Sequence, residues 1–269
     1  MLAPMRQLSL HHLTAMDLTP VELVAAAAAV GLSRVTLFTY VPPPYQSRYP
    51  LVTEDILPRL QEAMARHGVA CQGLEVFGLT EEPDWPGMAQ GLRLGGLLGA
   101  AQATVHIHDS APDRVHAHLA QLAEMAAAHG IELALEFNPY AQCRSLAQAV
   151  EMVKAMAAQS VRIGILLDTL HAMRSGATLA EIEAAAPYIV GLQLSDGPQT
   201  VAEDQRWREA ISARLLPGQG DFPLQHIVKL LPETVVIDIE VPQAPAKAAG
   251  QSAQMRIKGA ADATRALLK

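Results

Sequence analysis

Apolar and polar positions along the chain follow two alternating periods. Short apolar runs bounded by turn residues recur, separated by longer stretches with apolar residues at helical spacing. QLSLHH (7–12) reads as a short strand. Thr19-Pro20-Val21-Glu22 then starts a helix, with Thr19 as cap, Pro20 at the first helical position and Glu22 closing a capping box. The alanine-rich run after it favours helix and stops at Gly31, where the β-branched and aromatic RVTLFTY (34–40) begins. A helix from about Thr53 ends at His67-Gly68, and VACQGLEVFGL (69–79) follows. A helix near 86–98 leads to ATVHIHD (103–109), and one near 113–129 leads to ELALEFNP (132–139). Ser145 and Gln148 suit a capping box for a fifth helix before RIGILLD (162–168). Thr178 and Glu181 cap the next helix, before IVGLQLSD (189–196). A longer connection over 197–222 and a helix at about 223–231 precede VVIDIEVP (235–242) and a last helix.

Strands separated by helices pair in parallel through right-handed crossovers. Eight of each predict a closed (β/α)8 TIM barrel, and 269 residues suit one such domain over 1–269. An open doubly wound sheet is the alternative. The first strand-to-helix turn, however, lacks the GxGxxG of dinucleotide-binding folds. Half the residues are hydrophobic and 17% are charged, which fits a large buried interior. The net charge of -7 disfavours a nucleic-acid partner. The two cysteines, Cys71 and Cys143, make neither a disulfide framework nor a metal-type pair. The start MLAPMRQLSLHH lacks the apolar core of a signal peptide, and no run of about 18 apolar residues suggests a membrane span. The expectation is a cytoplasmic protein, with a homo-oligomer left open.

Interior barrel strands should be apolar, so polar residues within them carry information. Here they fall late in their strands: His11 and His12, His106 and His108, Glu136 and Asn138, Asp168, Gln193 and Asp196, and Glu240. In a βα barrel these ends meet at one rim, where active sites are built. Three converging carboxylates, Glu136, Asp168 and Glu240, would repel one another unless a cation neutralised them. A divalent metal is the simple remedy, with Gln193 adding a carbonyl oxygen. An all-oxygen set favours Mn²⁺ or Mg²⁺ and leaves Co²⁺ and Zn²⁺ as further options. His171, three residues after Asp168, could orient a ligand, bind substrate or shuttle a proton. His106 and His108 share one strand face and are expected to contact substrate, as is Asn138. Arg214 precedes LLPGQG in the long connection, where it could offer a fixed cation to an anionic or hydroxylated substrate. A surface loop with incidental glycines is the other reading.

ALEFNP, LLDTLHA, LQLSD, LLPGQGDFPL and DIEVP together resemble the xylose-isomerase-like TIM barrels. These are the sugar phosphate isomerases and epimerases, a superfamily that also holds endonuclease IV. The resemblance implies a divalent metal on Glu136, Asp168 and Glu240, the two glutamates also serving as acid and base, and His171 binding substrate. Most members carry His as the strand-seven ligand, where this chain has Gln193. Bacterial 3-dehydroshikimate dehydratases look Gln-substituted there and carry a similar PGQG loop, so a dehydratase is the closest rival. Endonuclease IV resembles the chain less, because its extra late histidines are missing. The expected activity is proton removal beside the carbonyl of a small polyhydroxylated, sugar-like substrate. The outcome is isomerisation or epimerisation, or dehydration if a β-hydroxyl leaves. A barrel that binds a metabolite without turning it over is the third reading.

Overall fold

The computed structural model describes residues 6–269. Eight parallel strands close into a barrel in the order β1 to β8. They are β1 (Leu8–His11), β2 (Arg34–Phe38), β3 (Ala70–Leu79), β4 (Gln102–Ile107), β5 (Glu132–Glu136), β6 (Gly164–Asp168), β7 (Ile189–Leu194) and β8 (Val236–Ile239). Around them lie α1 (Pro20–Ala29), α2 (Leu57–His67), α3 (Trp85–Leu97), α4 (Pro112–Ala127), α5 (Leu146–Ala158), α6 (Thr169–Arg174), α7 (Leu179–Ala185), α8 (Arg206–Ser212), α9 (Leu224–Leu230), α10 (Ala244–Ala248) and α11 (Ala253–Leu267). Among the described residues no helix is long and apolar enough to cross a membrane.

The local signals act much as read. Thr19 and Glu22 form a full capping box at α1, as do Thr178 and Glu181 at α7. Three details differ. The helix expected from Thr53 starts at Leu57, with the Thr53 hydroxyl bonded instead to Asp55. At α5, Ser145 caps Gln148 N, but the Gln148 side chain accepts from Arg144 N, so the box is not closed on Ser145. The long connection after β7 is not bare loop, because it holds α8.

The barrel interior departs most from expectation. Polar residues are not confined to strand ends: Ser9, Thr36, Gln72, Glu75, Thr104 and Asp238 are all buried in the strands. Several line an interior cavity of about 20 Å³ with Gln102 and Gln193, enough for roughly one water. The apolar core lies mainly between strands and helices, with Leu23, Leu60, Leu92, Leu119 and Ile227 fully buried there.

Candidate active site at the carboxyl rim

Glu136 and Asp168 end β5 and β6, Gln193 is the penultimate residue of β7, and Glu240 follows β8. All four are buried. Asp168 also starts α6, and its Oδ1 accepts from Leu170 N at 2.6 Å and His171 N at 3.2 Å. This N-cap turns the chain sharply and returns His171 over the carboxylates. His171 Nε2 lies 3.6 Å from Glu136 Oε1 and 3.9 Å from Asp168 Oδ2. Glu136, Asp168 and His171 thus offer potential ligand atoms all within 4.8 Å of one another.

The chain supplies one cation to this group itself. Arg214 Nη1 donates to Asp168 Oδ2 at 2.7 Å, and Nη2 lies 3.2 Å from Glu240 Oε1. Its Nε donates to the Ala210 carbonyl at 2.9 Å, and its side chain is only 2% exposed. The guanidinium expected to face substrate is therefore committed to braces between β6 and β8. The loop after it is organised by Asp196, whose carboxylate accepts from the N–H groups of Gly197, Gly218, Gly220 and Phe222. Gly218 has φ +85°, and a Cβ on Gly220 would collide with Gly197 O and the Asp196 carboxylate. The glycines serve this anchor rather than an approach to ligand.

The neighbours split the two glutamates. Burial raises the proton affinity of both. At Glu136 this is outweighed by His106, whose Nε2 sits 2.5 Å from Oε2, and by His171, so Glu136 falls below the ordinary carboxylate range. At Glu240 burial prevails over Arg214 and His11, and the carboxyl is pushed well above that range. Asp168 is also buried, yet Arg214 and His171 hold it low.

The remaining expected residues divide. His106 is used by Glu136. His108 packs edge-on against His106 with ring centroids 5.9 Å apart, and burial lowers it to about 4. Asn138 Oδ1 accepts from Tyr140 N at 3.0 Å, which closes its own turn. Two residues went unassigned in the sequence. Glu75, within β3, accepts from Thr104 Oγ1 at 2.7 Å and Gln193 Nε2 at 3.1 Å. Trp207 on α8 stands edge-on to Tyr140, 4.8 Å between centroids, and Tyr140 in turn lies edge-on to His171 at 6.3 Å. A glutamate inside the otherwise apolar LEVFGL was the available signal for the first. Trp207 lay in a segment read as loop.

A divalent cation fits the donor set. Gln193 Oε1 and Glu240 Oε2 are buried oxygens with no hydrogen-bond donor. Glu136 Oε1 meets His171 only at 3.6 Å, beyond hydrogen-bond range. Buried acceptors left unpaired are costly, and a hard cation satisfies oxygen donors together.

A family model described as a xylose isomerase-like TIM barrel matches residues 24–258. An inosose isomerase of Halalkalibacterium halodurans is 29% identical over 123 residues, a match spanning 43% of this chain and 40% of that protein. The solved IolI protein with a binding zinc atom superposes with a TM-score of 0.77 at 17% identity, over 97% of this chain and 98% of that one. D-psicose 3-epimerase in the presence of D-fructose gives 0.72 at 15% identity, over 97% of each chain. The probable 3-DHS dehydratase AsbF of Bacillus anthracis gives 0.75 at 13%, over 96% and 98%. At these identities the structural likenesses are likenesses of fold.

Proposed function

The chain belongs to the xylose isomerase-like TIM barrel family, and from that premise we propose a divalent-metal-dependent isomerase or epimerase of a small polyhydroxylated keto substrate. The observation that carries the reading is the pair Glu136 and Glu240. Arg214 bridges Glu240 to Asp168, His171 lies between Asp168 and Glu136, and the surroundings of the two glutamates drive their proton affinities apart. Two carboxyl groups separated in this way are suited to act as base and acid.

Glu136, Asp168 and His171, whose ligand atoms lie within 4.8 Å of one another, would hold the metal, and Gln193 and Glu240, each with an unpartnered buried oxygen, would complete the set. Mn²⁺ and Mg²⁺ suit the oxygen donors, and the cation would supply Lewis-acid polarisation of the substrate carbonyl. Glu136, held low by His106, accepts the proton from the carbon beside that carbonyl. Glu240, held high, donates a proton to the reacting skeleton. Arg214 keeps Asp168 and Glu240 at fixed spacing while protons move. His171 and the Tyr140–Trp207 pair border the substrate.

The test is solvent-deuterium exchange by the purified protein with Mn²⁺, using inososes and ketohexoses. Deuterium entering the carbon next to the carbonyl is the expected result. No exchange on any member of the panel, with the metal bound, overturns the reading. A second reading, dehydration of 3-dehydroshikimate, is favoured specifically by Gln193 and the Pro217-Gly218-Gln219-Gly220 turn. Loss of water from that compound without exchange into ketoses would select it.

A further inference from the structure

An amide ligand has a wrong end. A carboxylate presents oxygen whichever way it turns, whereas glutamine presents either an accepting oxygen or a donating NH₂. Some group must choose between them for Gln193, and the choice is made across the barrel. β3 and β7 lie four strands apart in a closed ring of eight, on opposite walls. Glu75 on β3 nevertheless reaches Gln193 on β7, 118 positions away in sequence, at 3.1 Å. The atom facing that carboxyl oxygen is the Gln193 NH₂, which donates to it. That leaves Oε1 as the free end, and Oε1 is buried without a donor.

Glu75 is itself held. Thr104 Oγ1 on β4 donates to the same Oε1 at 2.7 Å, and His11 Nε2 on β1 lies 3.3 Å from it. His11 Nδ1 accepts the Leu13 N–H at 3.0 Å, which places the ring proton on Nε2, toward Glu75. Donors from β4 and β7 therefore gather on one oxygen of a side chain only 7% exposed, with the His11 ring of β1 close beside it. A polar hub of this kind is costly to bury, and it supplies a fixed anchor in return.

We propose that Glu75 is a positioning residue: it holds the Gln193 amide with its carbonyl oxygen toward the rim, and so makes Gln193 a metal ligand. The proposal rests on the metal reading above and concerns only how one ligand is oriented. Without an acceptor at position 75, the amide is free to turn its NH₂ toward the cation, and a ligand is lost.

The experiment measures Mn²⁺ affinity directly, by the free-ion electron paramagnetic resonance signal, for the native protein, Glu75→Gln and Glu75→Leu. Unfolding of the metal-free proteins is recorded beside it. Glu75→Gln keeps an accepting oxygen for Thr104 and Gln193 but loses the charge. Glu75→Leu loses both. The expected result is affinity within about threefold of native for the glutamine variant, and a loss of at least about tenfold for the leucine variant, the usual range for ligand-orienting partners. Glu75→Ala, which leaves room for water, replaces the leucine variant if that one does not fold. Equal losses in the glutamine and leucine variants would reduce Glu75 to a bystander charge and overturn the proposal. Native affinity in all variants would overturn it too. A native protein that binds no Mn²⁺ instead fails the metal reading itself, so the two failures are distinguishable.

Discussion

The two halves of the rim are built on different plans. β5 to β8 supply the oxygen-rich set, namely Glu136, Asp168, Gln193 and Glu240. β1, β3 and β4 supply groups turned toward that set. His106 holds Glu136, and Glu75, itself held by Thr104, takes Gln193. One half is arranged to receive a ligand and the other to orient what receives it. Arg214 complicates the division, because it comes from the loop after β7 yet serves as a holder, between Asp168 and Glu240. Carboxylates that converge need a cation, and this chain carries one of its own beside the oxygens left free for another.

The strongest way to break this comparison is to remove that internal cation. Arg214→Met leaves Asp168 and Glu240 buried without their partner. The expected loss is roughly 3–5 kcal/mol of unfolding free energy, as for other broken buried pairs. Denaturant titration measures it, and added Mn²⁺ should restore part of it. Unchanged stability would mean that solvent already satisfies the two acids.

On the receiving half, Glu240→Gln should lower turnover by at least about 100-fold, the cost of losing an acid–base group. Metal content is measured alongside, because Glu240 is also a proposed ligand. Normal turnover in the metal-replete variant removes Glu240 from the reaction.

His12, directly after β1, tests the holding half. It is buried, donates Nε2–H to the Leu18 carbonyl at 2.9 Å, and burial lowers it from 6.5 to about 4. The unfolded chain therefore binds more protons between those values, so stability is full above 6.5 and falls as pH drops toward 4. His12→Gln keeps a donor and does not titrate. Its stability at pH 5 relative to pH 7 should fall by about 2 kcal/mol less than that of the native protein, from 1.36 kcal/mol per unit. Parallel pH profiles would refute the assignment.

The smallest effect is expected at His106→Gln, which keeps a donor for Glu136 but weakens its hold. Mn²⁺ affinity should fall about tenfold, the low end for partners of a metal ligand. If affinity is untouched while turnover on a ketose rises or falls, His106 contacts substrate rather than serving Glu136.

The eightfold alternation, the caps at Thr19 and Thr178, and the lateness of Glu136, Asp168, Gln193 and Glu240 in their strands are all properties of local spacing. They were therefore legible in the chain alone. Periodicity and capping act over a few residues, and a barrel carries every strand end to one rim by its connectivity. Pairing between residues such as Gln193 and Glu75 is decided by which strands face each other across the closed ring, and no local pattern encodes that. The same holds for Arg214, whose loop could have pointed its head at solvent or substrate. Burial beside Asp168 and Glu240, set by the Asp196 anchor and the Ala210 carbonyl, turned it inward. Sequence determined which groups reach the rim, and tertiary structure decided which of them are held and which are left free to bind, because that depends on distances closed only when the barrel is.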